Sequence, residues 1–532
     1  MEKKLKLFIV FSLVLVLFFG LPLENFGEKG RSKKPRSGGV FRLKAFTDEF
    51  RRELDPTSPD SFIFISEQLF DGLVRLDKNL NIAPHLAEYW EISPDGAKYT
   101  FYLRKGIKFH HGAELSAEDV KFSLERLIDK KTNSPYYQFF LPRVVGARHF
   151  REGKTKDVEG FKVLDDYTFE IHWTKPFVSA LYLMSMHFCK ILPKDLVLDK
   201  KRGFFYKPSG TGPFKFDYWI RTTKLDIAGI RMIRNEEYFG GKPYLDAVEF
   251  CPHFTLDHFF NGEIHSIPVL TDRLLKADFQ IFQDGLLHKM FLGMSCHIPP
   301  LDRPIVRRAI SCAIDKVEIV HAVSDVRYLH QVTNNYIPPR LQGFLPKDDE
   351  VTFNVEKAKH MLREAGFSSE NKFPVLTFLV SLPRTDLKHK IYRELRKQLD
   401  AVGIRLRIHY YISLEELKNI EKPYLVYSGR LMNFPDPDDI VRPLFFSKSI
   451  FNVFHYSNPE LDRLLQEAEI EKSRTRRINL FHKIEQILIS DVPAFPLFTL
   501  QNRIAMQPYV RGVEVPPLGF YHLDTKKIWL DK

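Results

Sequence analysis

The side chains able to do chemistry are few and scattered. His110 and His111 are adjacent, and on an extended chain neighbouring side chains point to opposite faces, so they make a poor bidentate pair for a metal. Cys189, Cys251, Cys296 and Cys312 never fall in a C-x-x-C pair, which excludes a cysteine zinc ribbon. Four cysteines in 532 residues also exclude a disulfide-stapled miniprotein, and buried free thiols are expected. The chain has no G-x-S-x-G nucleophile elbow, no H-E-x-x-H zinc helix, no phosphate loop and no dinucleotide G-x-G-x-x-G after a strand. Nothing calls for catalysis, so the expectation is a binding protein that is not an enzyme and carries no cofactor or metal.

Composition narrows the class further. The chain is 44% hydrophobic and 27% charged, too apolar for disorder and able to bury more than one core. Its formal charge is +12, and residues 1–36 hold eight basic against three acidic side chains. The remaining basic residues are dispersed, which predicts a solvated basic surface and no nucleic-acid partner.

The positioning elements are read from patterning. Lys3, Lys4 and Lys6 precede the apolar run Leu7–Leu23, as in a secretory signal. With no A-x-A site, residues 1–26 are expected to be a signal peptide or an uncleaved anchor, and residues 27–39 a flexible Gly/Lys/Ser linker. Ser93-Pro-Asp-Gly96 predicts the turn of a hairpin whose second strand alternates at Tyr99, Phe101 and Leu103. Ser116 and Asp119 form a capping-box pattern ahead of Val120, Leu124, Leu127 and Ile128. A further hairpin is expected over 163–173. Strand 374–380, a helix over 388–402, strand 404–408, a short helix from Ser413 and strand 424–428 read as βαβαβ, which implies a parallel sheet.

Trp90-Glu-Ile-Ser-Pro-Asp-Gly96, continuing to Leu127, resembles the signature of the family 5 extracellular solute-binding proteins, the oligopeptide- and dipeptide-binding components of ABC importers. Gln68–Leu73, Gly210-Thr-Gly-Pro-Phe-Lys-Phe216, Arg234–Asp246, Asn261–Ile264, Arg303–Lys316, Ala358–Gly366, Phe454–Asp462 and Asp491–Phe498 follow the family's motifs in order, over about residues 40–500. The resemblance implies a two-lobed α/β periplasmic binding protein, the large three-subdomain form with discontinuous domains joined by hinge strands. Residues 40–51, 190–288 and 498–532 would form lobe one, 52–189 an extra subdomain of it and 289–497 lobe two. The hinge strands would lie near Phe291–Ser295 and Pro496–Leu500.

By resemblance the protein captures short peptides outside the cytoplasm, as a monomer, and delivers them to a membrane permease; a non-peptide solute is the alternative. Gly429 and Leu431 would offer main-chain groups to a peptide. The family's peptide-binding members place an aspartate where this chain has Asn433, which supplies no charge. Asp436 is the acidic residue nearest to it. Arg384 falls near a family arginine that binds a peptide carboxylate. Phe62 and Phe64 match a segment that meets the ligand, with core packing the competing expectation, as it is for Met184 and Met186.

Overall fold

Ser116 starts a helix as its spacing predicts. Its main-chain N–H and its hydroxyl both reach the Asp119 carboxylate, at 3.0 and 2.9 Å, and helix Ala117–Ile128 buries Val120, Leu124, Leu127 and Ile128. The Ser93–Gly96 turn joins strands Ala87–Ile92 and Lys98–Leu103, with Gly96 at φ +78°, a conformation that glycine adopts without strain. Strands Phe161–Asp165 and Thr168–His172 complete that four-stranded antiparallel sheet.

The structure is a computed structural model. It describes residues 34–44, 54–58, 62–199, 203–224, 226–268, 271–283, 287–323, 328–339, 341, 343–345, 352–382, 385–411, 416–417, 420–516 and 518–532. The chain divides into Met1–Arg36 and the compact unit Ser37–Lys532. The signal or anchor segment, most of the linker and the start of the helix at Ser413 fall outside the described residues.

One mixed sheet runs through the second unit. Its strand order is 406–411, 376–381, 424–431, 288–294, 494–506, 266–267, 40–44, 247–251, 227–234 and 214–221; strands 280–283 and 328–332 also pair with 494–506. The expected parallel strands are present: strand Leu376–Ser381 lies between Leu406–Tyr411 and Tyr424–Leu431 and is parallel to both. The crossover helix Asp386–Asp400 begins at Thr385, whose hydroxyl caps the Lys388 N–H, and it buries Ile391, Leu395 and Leu399. Alternation sends Leu292, Phe378 and Leu425 into one core and Phe291, Leu379 and Val426 into another on the opposite face.

Those two cores belong to the second body in chain order; the first forms around Phe41, Ile230, Val248, Ile504 and Ile528. Residues 73–191 supply nearly all of a separate core containing Phe101, Leu124, Phe169 and Phe188. Leu54, Phe64, Ile65, Leu69 and Phe70, expected with that 52–189 subdomain, instead pack with Phe41 and Val248; Phe64, Ile65 and Leu69 are buried toward that core from helix Ile63–Leu69.

The crossing between the bodies also lies elsewhere than expected. Strand 288–294 is paired to 424–431 along its length, and 494–500 is paired to 288–294. Strand 280–283 pairs instead with 503–506. Partners therefore change between Gln283 and His288 and at Gln501–Asn502. Phe291–Ser295 and Pro496–Leu500 sit inside the sheet of the second body, where ladder hydrogen bonds on both sides hold them.

Candidate functional site

The most conspicuous motif residues build scaffold. The Asp71 carboxylate is 3% exposed and accepts from Thr211 at 2.9 Å and Tyr238 at 3.2 Å, while its other close partner is His85 Nε2 at 2.6 Å. Burial alone would raise its pKa, but the nearby His85 and Lys190 and the Thr211 hydrogen bond hold it below the usual carboxylate range. His110 Nδ1 accepts the Gly210 N–H and its Nε2 lies 3.0 Å from the Gly212 carbonyl, so the ring clamps the 210–212 turn. Burial lowers its pKa to about 4, which keeps it neutral. A Cβ at Gly210 would stand 1.9 Å from the Leu69 carbonyl, which explains the glycine. His111 Nδ1 is 2.8 Å from the Ser209 hydroxyl. Among the described residues no three His, Cys, Asp or Glu side chains gather as a metal site, and no helix is long and apolar enough to cross a membrane. Cys189, Cys251 and Cys312 are buried free thiols and Cys296 is a half-buried one.

A different arrangement appears at strand Tyr424–Leu431. Ser295 N–H donates to the Tyr424 carbonyl and Met432 N–H to the Leu287 carbonyl, so the even-numbered main-chain groups face strand 288–294. The odd-numbered groups face the other way, toward strand 376–381. That strand pairs with it only as far as Val426, while on its other side the Leu382 N–H continues the ladder to the Tyr411 carbonyl. The main-chain groups of Gly429 and Leu431 therefore lie on a strand edge that no described residue pairs. Over the same face stand His288 and Met290: a Cβ on Gly429 would be 2.4 Å from Met290 Sδ and 3.1 Å from His288 Nε2. Burial lowers the His288 pKa to about 4, which keeps its ring neutral. The Leu431 side chain is 44% exposed. Such an edge can bind an extended chain by adding it as a strand.

Asn433 follows the edge. Its Nδ2 donates to Asp439 Oδ1 at 3.1 Å, and its main-chain N–H donates to the same carboxylate. Asp436 is buried among protein partners. It accepts both terminal nitrogens of Arg477 at 2.8 Å and the Ser179 hydroxyl at 3.0 Å, and its carboxylate caps helix Pro437–Phe445 through the Asp438 N–H. Phe62 and Phe64 belong to the core: Phe64 stacks on Phe250 at 5.4 Å and Phe62 meets the same ring edge-on at 5.5 Å. Met184 and Met186 are each 1% exposed. Arg384 lies outside the described residues. Sequence reasoning did not single out His288, Arg430 or Arg477; the run Asp436-Pro-Asp-Asp439 was the signal, since closely spaced carboxylates demand counter-charges.

The bodies touch again far along the chain from the crossing strands. Arg143 Nε and Lys175 Nζ each reach Glu469 at 3.0 Å, Ser179 reaches Asp436, and Phe434 packs into the 73–191 core. A cavity of about 420 Å³ lies beside helix Ile63–Leu69, lined by Asp71, Arg75, His85, Lys190 and His522 among others, with Leu80 and Leu518 also packing against the second body.

The sequence matches the model of the bacterial extracellular solute-binding proteins, family 5 (middle region), over residues 81–452. It is 26% identical over 500 residues to the dipeptide-binding protein of Escherichia coli, covering 89% of this chain and 91% of that one. It is 28% identical over 487 residues to heme-binding protein A of Haemophilus influenzae, covering 86% of each. Among solved structures, the periplasmic binding protein DppA of Helicobacter pylori in complex with the peptide STSA superposes with a TM-score of 0.73 at 26% identity, over 93% of this chain and 99% of that one. The solved relative has the two-lobed α/β architecture seen here. With most of its length matched and the whole fold reproduced, the chain belongs to the family 5 bacterial extracellular solute-binding proteins.

Proposed function

We propose that the protein is an exported receptor that captures short peptides between its two bodies and hands them to the permease of an ABC importer, without changing them chemically. The observation that carries this reading is the strand edge at Gly429–Leu431, whose main-chain groups can bind a peptide whatever its side chains. Relatives named for dipeptide and oligopeptide binding support the ligand class. Asn433 borders the same edge. Lobe one comprises residues 40–72, 190–283 and 503–532, with 73–189 as its inserted subdomain, and 288–500 form lobe two. Ligand contacts to both lobes stabilise the closed form, which the permease reads. The protein acts as a monomer outside the cytoplasm.

The test is small-angle scattering with calorimetry. Short peptides should bind and compact the particle; a diverse peptide set giving neither heat nor compaction contradicts the reading. A second reading, a non-peptide solute such as haem, is favoured by one observation: Asn433 offers no charge to a peptide ammonium. It predicts that a haem titration saturates where peptides do not.

A further inference from the structure

The inserted subdomain touches lobe two directly, away from the strands that cross between the lobes. Phe434, three residues past Leu431, is 4% exposed and lies in the 73–191 core, its ring 6.3 Å from that of Phe139. Two residues on, Asp436 accepts the Ser179 hydroxyl at 3.0 Å. Arg143 Nε and Lys175 Nζ meet the Glu469 carboxylate at 3.0 Å each, and the Val178 N–H donates to the Glu469 carbonyl at 3.3 Å. Lys472 Nζ donates to the Pro94 carbonyl, so the Ser93–Gly96 turn touches lobe two as well.

This contact can part without stranding a charge. Asp436 keeps two hydrogen bonds of 2.8 Å from Arg477, a residue of its own lobe, and gives up only a hydroxyl. Glu469 keeps Arg442, 3.8 Å away in lobe two. On the subdomain side, Arg143 keeps the Phe139 carbonyl at 3.2 Å and the face of Phe177 at 4.9 Å, and the Lys175 side chain is already 49% exposed. Separating a buried ion from its only partner is what makes such an interface costly to open. Here each side carries its own partners, as a contact that forms and breaks requires.

The same contact grips the strand edge. Between Leu431 and Phe434 the Met432 N–H is held by the Leu287 carbonyl and the Asn433 N–H by Asp439, so little slack separates the edge from the seated ring. We propose that the inserted subdomain is a second clamp on lobe two, and that Phe434 is its positioning residue: the ring seats among subdomain residues when the lobes close and leaves when they open. This rests on the closing motion in the reading above and adds the subdomain to it.

The test places nitroxides on Lys162→Cys in the subdomain and Asn479→Cys in lobe two, both exposed positions, in a Cys296→Ser background, and reads their separation by pulsed electron paramagnetic resonance with and without short peptides. Two separations are expected, with peptide enriching the shorter. Phe434→Ala should lower the ratio of short to long about tenfold, and Phe434→Leu should restore most of it. Lys175→Met, at a half-exposed site, should lower it about threefold with the urea midpoint unchanged. A single separation in every sample would make the contact permanent or absent and overturn the inference. Two separations whose ratio none of the variants changes would overturn it too. If the variants shift the ratio but calorimetry finds no peptide binding, the clamp stands and the peptide reading falls.

Discussion

The surroundings of Asp71 and the edge at Gly429–Leu431 are built from opposite kinds of residue. Around Asp71, polar side chains from distant segments close on one another: His85, Thr211 and Tyr238 meet one carboxylate, and His110 clasps the turn that delivers Thr211. At Gly429 one side of the main chain is paired by no described residue, and it lies beside a neutral histidine and an exposed leucine. The first region is closed and carries the recognisable motifs. The second is open and departs from the pattern at Asn433. Residues that satisfy each other must keep their identities, whereas an edge that binds through its main chain leaves its side chains free to set specificity.

The contrast is sharpest in stability. Asp71→Ala removes the shared acceptor from Thr211 and Tyr238 and the partner of His85, and should cost about 3–5 kcal/mol in urea unfolding. The peptide affinity of the remaining folded fraction should not change. A loss below about 1 kcal/mol would show that the cluster is not structural.

The next largest effect is a pH dependence. His110 has a pKa of about 4 when folded against roughly 6.5 in the unfolded chain. Between those values the unfolded state binds the extra proton, so stability is full above 6.5 and is lost as pH falls toward 4, by about 3 kcal/mol. His110→Asn should flatten that part of the urea-midpoint profile. An unchanged slope would assign the acid sensitivity elsewhere.

Leu431→Pro tests the other region. It deletes an N–H that faces away from strand 288–294 and so spares the ladder. Peptide affinity should fall about tenfold, the worth of one hydrogen bond of roughly 1.4 kcal/mol, with little change in the thermal midpoint. Equal affinity would mean that the edge does not hold the ligand.

Local patterns were legible in the sequence because their physics is local. The Ser116–Asp119 box, the Ser93–Gly96 turn and the parallel order of strands 376–381, 406–411 and 424–431 follow from spacing and crossover handedness. The segment at Phe62 and Phe64 matches one expected to meet the ligand, yet Phe64 and Leu69 are buried from a short helix and Phe64 stacks on Phe250, a tertiary preference with no local signal. The role of Asp436 depends on Arg477, 41 residues on, and Ser179, 257 residues back, and no spacing rule connects them. The crossing points differ otherwise: strand 494–506 changes partners within its 13 residues at the polar run Gln501-Asn502-Arg503, a break in its hydrophobic pattern that the sequence does carry.

Amide hydrogen exchange at Gly429 and Leu431, read with and without saturating peptide, is the most direct measurement. If the ligand adds to the edge as a strand, both amides exchange slowly in the complex and fast in the free protein, while Ser428 and Arg430, already in the ladder, change little. Tight binding with Gly429 and Leu431 still exchanging at the free rate would contradict the account.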